Sequence, residues 1–114
     1  MPKPSNFCTF ALPLPVYHGF DYAVDDAAAC LPGMRFELPF GQGSKTGILI
    51  SCAQPTADER ELRAVSGPLD QQPLLSAHML ELGSWIADYY CQPIGEVLFL
   101  CLPRYLRKPQ AQLE

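Results

Sequence analysis

Histidine and cysteine, which most often serve as general base, nucleophile or transition-metal ligand, are few and poorly spaced. They comprise two histidines, His18 and His78, and five cysteines, Cys8, Cys30, Cys52, Cys91 and Cys101. The cysteine count is odd, and no two cysteines form the close pair that a zinc site requires. They read as reduced thiols serving as small buried hydrophobes. Neither histidine stands at a spacing that pairs it with a cysteine nucleophile, and His78 falls at the start of a helix, where a capping or surface role suits it. Gly43-Ser44-Lys45-Thr46 resembles the tail of a phosphate-binding loop. The full G-x-x-x-x-G-K-[ST] pattern is absent, however, and a strand follows instead of a helix. The sequence therefore predicts no catalytic constellation and no bound metal. What remains is a carboxylate set between two aromatic rings, Phe20-Asp21-Tyr22.

The elements that must position this triplet are short. Residues 7–12 (FCTFAL) form a strand that stops at Leu12-Pro13-Leu14-Pro15. Residues 20–24 (FDYAV) alternate, placing Phe20, Tyr22 and Val24 on one face and Asp21 on the other. Pro32-Gly33 marks a turn. Residues 34–40 (MRFELPF) have period two, with Met34, Phe36, Leu38 and Phe40 inward and Arg35 and Glu37 outward. Residues 41–45 read as a flexible loop. Residues 46–53 (TGILISCA) return as a strand and complete a hairpin, with Ile48, Ile50 and Cys52 together. A last strand is expected over 62–69, broken at Gly67-Pro68. Beyond Pro73 the period changes. Ser76 is a helix cap, and Met79, Leu82, Ile86 and Tyr89 mark the apolar stripe of a helix over 77–90. Residues 96–102 form a short second helix. Strands first and helices last predict an α+β domain, a small curled sheet or OB-like barrel with C-terminal helices.

Composition agrees with one globular domain over residues 1–114. The chain is 48% hydrophobic and 18% charged, and its twelve prolines account for the shortness of the elements. No apolar run approaches the roughly 18–20 residues of a membrane span, and the N-terminus lacks the apolar core of a signal peptide, so a cytoplasmic protein is expected. The formal net charge of −4 is unlike the basic footprint of a general nucleic-acid binder. Any such binding has to be local and weak by bulk charge, or to rely on a specific pocket.

Four blocks in order, ALPLPVYHGFDYAV, PGMRFELPFGQGSKTGILIS, ELRAV and LGSWIADYYCQPIGEVLFLCLP, resemble the N-terminal domain of the PriA type of bacterial replication-restart helicase (primosomal protein N′). Together they cover roughly residues 7–107. The resemblance implies a small barrel related to a permuted OB fold that holds the 3′ end of a nascent leading strand at a stalled fork. It places the pocket at Phe20, Asp21, Tyr22, Gly41 and Arg63. The family carries lysine where this chain has Arg63, which keeps the charge and changes the hydrogen-bond geometry. Arg35 and Lys45 are expected to add contacts to the DNA backbone. The resemblance further implies that helicase motifs and a zinc site lie beyond this chain. ATP, magnesium and zinc would belong to the parent protein, with no cofactor in this fragment.

The chemistry of the implied pocket is simple. An ionised aspartate only accepts hydrogen bonds. Asp21 would therefore accept from a terminal 3′-hydroxyl, for about 1–3 kcal/mol, and would repel a 3′-phosphate. An aromatic ring at Phe20 or Tyr22 would stack on any terminal base. Gly41 would allow close backbone approach, and Arg63 would pair with the last phosphate. The alternative is a protein-interaction module that docks on the helicase body or on a primosome partner through the Met79/Trp85/Tyr89/Tyr90 region.

Overall fold

Alternating and apolar stretches form four strands, and the 3.6-residue pattern that follows forms two helices. In the computed structural model, residues 6–16, 19–24, 30–53, 65 and 68–102 are described. The strands are β1 (Asn6–Ala11), β2 (Phe20–Val24), β3 (Arg35–Phe40) and β4 (Gly43–Ala53), and the helices are α1 (Ala77–Tyr89) and α2 (Ile94–Leu100). The sheet is antiparallel, in the order β2-β1-β4-β3. The hairpin loop is tighter than expected. Phe40 pairs directly with Gly43, so Gly41 and Gln42 alone make the turn, and Ser44 and Lys45 belong to β4. Gly41 has φ +60, a backbone region that glycine enters at no steric cost.

The sheet is curled. β2 and β3 stand at opposite ends of the strand order, yet the Tyr22 hydroxyl on β2 donates to the Pro39 carbonyl on β3 at 2.7 Å. Part of the bend lies where β1 meets β4. Thr9 faces Ser51 and Phe10 faces Leu49, leaving Ile50 as the extra residue of a bulge. A bulge bends its strand and strengthens the local twist. The curl encloses one apolar cluster, in which Phe10 meets Tyr22 and Phe36 edge to face. A second cluster lies between the outer face of the sheet and the helices. It joins Ala11 and Ile48 to Leu75, Leu80, Leu98, Phe99 and Leu102. β4 thus buries both faces, Leu49 inward and Ile48 under the helices. This is the α+β half-barrel with C-terminal helices that the pattern predicts.

α1 begins as expected, with the Met79 N–H donating to the Ser76 hydroxyl at 3.1 Å. Its buried side differs from the predicted stripe. Leu80, Gly83 and Ala87 face the core, whereas Leu82 and Tyr89 are exposed and Met79 and Ile86 are half-buried. The helix is rotated because the small residues Gly83 and Ala87 admit the neighbouring helix. Leu98 of α2 lies against Gly83. α2 in turn lies directly on the residue that follows β1, where a Cβ on Gly95 would overlap the Leu12 carbonyl. Gly95→Ala is therefore expected to push α2 off the sheet and destabilise the chain by about 1–3 kcal/mol, measured by urea unfolding. A wild-type midpoint would contradict this packing.

Three further expectations meet the structure here. Arg35 does not point outward. It is fully buried and ion-paired with Asp70, because a carboxylate 35 residues away satisfies it inside. Cys8 and Cys52 are not reduced thiols. They face each other across β1 and β4 and form a disulfide, in which Cys30, Cys91 and Cys101 take no part. Of the strand expected over 62–69, the described residues show an isolated bridge between Phe36 and Pro68 and hydrogen bonds from the Val65 N–H to the Ala23 carbonyl and from the Leu69 N–H to the Arg35 carbonyl.

Candidate nucleic-acid interface

β2 positions the Phe-Asp-Tyr triplet through its period-two alternation. Phe20 and Tyr22 turn to the inside of the curl, and Asp21 turns to the outside. Tyr22 is a core residue at 6% exposure, and its hydroxyl ties β2 to β3. Phe20 is half-buried at the rim. Its ring meets Phe40 edge to face, with centroids 5.9 Å apart. The curl therefore delivers Phe20 to the residue that precedes Gly41. At Gly41 itself nothing lies within 4 Å of where a Cβ would stand, so the turn borders open space. Lys45 reaches back over the Phe40 ring, its Nζ 5.6 Å from the centroid, a separation that permits a cation–π contact.

Asp21 is half-buried on the outer face, directly opposite Thr9 in the β1–β2 register. The Thr9 hydroxyl donates to Asp21 Oδ1 at 2.7 Å. The carboxylate and the aromatic rim thus lie on opposite faces of β2. A ligand touching both would have to wrap over the outer edge of the sheet.

Of the residues expected in the pocket, the structure brings Phe20 beside Phe40 and the Gly41 turn, with Lys45 at the same rim. Tyr22 braces this arrangement from the core. Arg63 lies outside the described residues. Arg35 is withdrawn from direct contact with DNA, because it is fully buried and its Nε, Nη2 and backbone N–H all donate to Asp70 inside the protein. Among the described residues, Lys45 is the only lysine or arginine besides Arg35. Sequence reasoning did not single out Thr9 or Phe40. Phe40 was legible as a member of the inward face of its strand, but the partner of Asp21 depends on strand register, for which the sequence carries no local signal.

The other exposed feature is on α1. Trp85, Tyr89 and Tyr90 are 58%, 66% and 62% exposed, and the Trp85 and Tyr89 rings stack at 5.1 Å. No helix of the described residues is long and apolar enough to cross a membrane.

Comparison with known proteins agrees with this architecture. The family model described as the 3′ DNA-binding domain (3′BD) of PriA matches residues 9–103. The replication restart protein PriA of Haemophilus influenzae is 33% identical over 105 residues, which cover 91% of this chain and 14% of that protein. The protein of the same name from Buchnera aphidicola subsp. Schizaphis graminum is 33% identical over 98 residues, covering 85% of this chain and 14% of that protein. The chain thus spans only a small part of the length of the curated relatives it matches. The matched family is a DNA-binding domain and not a catalytic one. With the match running from within β1 through α2, the chain belongs to the PriA 3′ DNA-binding-domain family.

Proposed function

We propose that the chain recognises the free 3′-hydroxyl end of a DNA strand, and that it does so as the targeting domain of a longer replication-restart helicase. Asp21 accepts the hydrogen bond from the terminal hydroxyl. Phe20, supported by Phe40, offers a ring to the terminal base, which suits a site that must take any base. Gly41 lets the turn approach the sugar and phosphate closely. Arg63 and Lys45 supply charge to the last phosphates. The observation that carries this reading is the curl that sets Phe20 against Phe40 at the Gly41 turn, on a strand whose next residue is the orientated carboxylate Asp21. In the same reading the natural target is the nascent leading strand at a stalled fork, in the cytoplasm. ATP, magnesium and zinc chemistry belongs to other parts of the longer protein.

The test is fluorescence anisotropy of a short oligonucleotide labelled at its 5′ end, carrying either a 3′-hydroxyl or a 3′-phosphate. The wild type is expected to prefer the hydroxyl by about tenfold or more, the scale of a hydrogen bond to a charged group. Asp21→Ala is expected to abolish that preference. Equal affinity of the wild type for both ends would overturn the reading.

The exposed Trp85/Tyr89/Tyr90 surface favours a second role that is compatible with the first, docking on the helicase body or on a primosome partner. A domain with that role alone would not distinguish the two oligonucleotide ends.

A further inference from the structure

We propose that Thr9 is the positioning residue of the 3′-end site, orienting the Asp21 carboxylate before DNA arrives. The proposal rests on the reading of Asp21 given above. Thr9 lies directly across from Asp21 in the antiparallel register, and its hydroxyl donates to Oδ1 at 2.7 Å. The direction of this bond is forced, because an ionised carboxylate has acceptors only.

The rest of Thr9 is constrained from three sides. Its methyl group lies against Gly19, where a Cβ would overlap Thr9 Cγ2. For a β-branched side chain, fixing the methyl also fixes the hydroxyl. The preceding residue, Cys8, is bonded covalently to Cys52. On its other side, the β1–β4 register shifts at the bulge between Thr9 and Phe10. The threonine is thus held in its methyl, its hydroxyl and its backbone, and it passes that order to Asp21.

An aspartate on a half-exposed strand samples several rotamers, and a ligand that needs one of them has to order the side chain on binding. Thr9 moves that ordering into the folded state, which is how a supporting shell strengthens recognition. Gly19 takes part for a stated reason: any larger residue there would displace the threonine methyl.

The experiment uses the same pair of oligonucleotides, ending in 3′-hydroxyl or 3′-phosphate, and reads the ratio of their affinities. Thr9→Val keeps the branched shape and removes the hydroxyl. It is expected to lower the ratio about tenfold, the scale of losing a hydrogen bond to a charged group. Thr9→Ser restores the hydroxyl and is expected to restore most of the ratio. Gly19→Ala keeps both hydrogen-bonding residues and is expected to lower the ratio as Thr9→Val does. It also supplies the comparison should Thr9→Val fail to fold. A purely structural role for Thr9 would weaken both affinities together and leave their ratio alone. A wild-type ratio in Thr9→Val and Gly19→Ala overturns the proposal while leaving the Asp21 reading intact. Loss of the ratio in Thr9→Ser as well as Thr9→Val also overturns it, since the hydroxyl would then not be the cause. No end preference in the wild type overturns both.

Discussion

Replacing Asp70 by alanine is expected to destabilise the chain by about 3–5 kcal/mol, the effect of leaving a buried charge without its partner. The Arg35 side chain has no exposure and the Asp70 side chain 4%. Arg35 Nε and its backbone N–H both donate to Asp70 Oδ2, at 3.1 and 3.0 Å, and Nη2 donates to Oδ1 at 2.8 Å. A guanidinium cannot shed its charge in a protein, so once Asp70 is gone Arg35 must either keep its charge in the interior without this carboxylate or draw water inward. Asp70 also fastens a stretch of chain. The Leu69 N–H donates to the Arg35 carbonyl at 2.8 Å and Pro68 bridges Phe36, so residues 68–70 run along the open edge of β3 and cover it. Urea unfolding measures the loss. The double variant Arg35→Met/Asp70→Leu replaces the pair by apolar groups and is expected to recover most of the stability. It should also bind DNA as the wild type does, since Arg35 is walled off from the surface. A single Asp70→Ala variant as stable as the wild type would mean that the guanidinium reaches water, and would return Arg35 to the set of candidate DNA contacts.

Reduction of the Cys8–Cys52 disulfide is expected to lower stability by about 2–4 kcal/mol. The two cysteines are 44 residues apart, and closing a loop of that length in the unfolded chain removes entropy equivalent to about 4 kcal/mol, although measured values are often smaller. The closed loop contains β2, β3 and the Gly41 turn, which is every described part of the candidate site. The link also joins β1 to β4 one residue before the bulge, where the register would otherwise have most freedom to slip. The comparison is urea unfolding of the same chain, oxidised and after treatment with a dithiol, with Cys8→Ala/Cys52→Ala as a control that removes the bond without thiols. A reduced chain that unfolds at the same urea concentration as the oxidised one would show that the covalent link contributes nothing to the native fold. Cys8 itself is fully buried, and its free thiol is suited to the same apolar cluster, so the reduced chain should still fold.

Local pattern was enough for four strands and two helices, and for which residues alternate along β2. Alternation in FDYAV set Asp21 opposite Phe20 and Tyr22, and the structure keeps that arrangement. Ser76 marked the start of α1, and Pro93 separates the two helices as the break in apolar period implied. Such features are decided by a few neighbouring residues, through backbone sterics and hydrogen bonds that close within one turn or one strand, so they can be read without the fold.

What lies against each side was decided by tertiary structure. Period two turned Arg35 away from Phe36, but a buried carboxylate 35 residues later made that side interior as well. Helical spacing pointed to Leu82 and Tyr89 as core, yet close approach of α2 chose the small residues Gly83 and Ala87. The meeting of Phe20 with Phe40, the bond from Thr9 to Asp21 and the union of Cys8 with Cys52 all depend on register and curl. These contacts form only when distant strands pair and the sheet closes. Their energies come from burial, from satisfied charge and from the reduced freedom of a closed chain, and none of these is a property of the residues taken one segment at a time. The sequence by itself determined which side chains each strand and helix carries; the closing of the sheet decided which of them stand together.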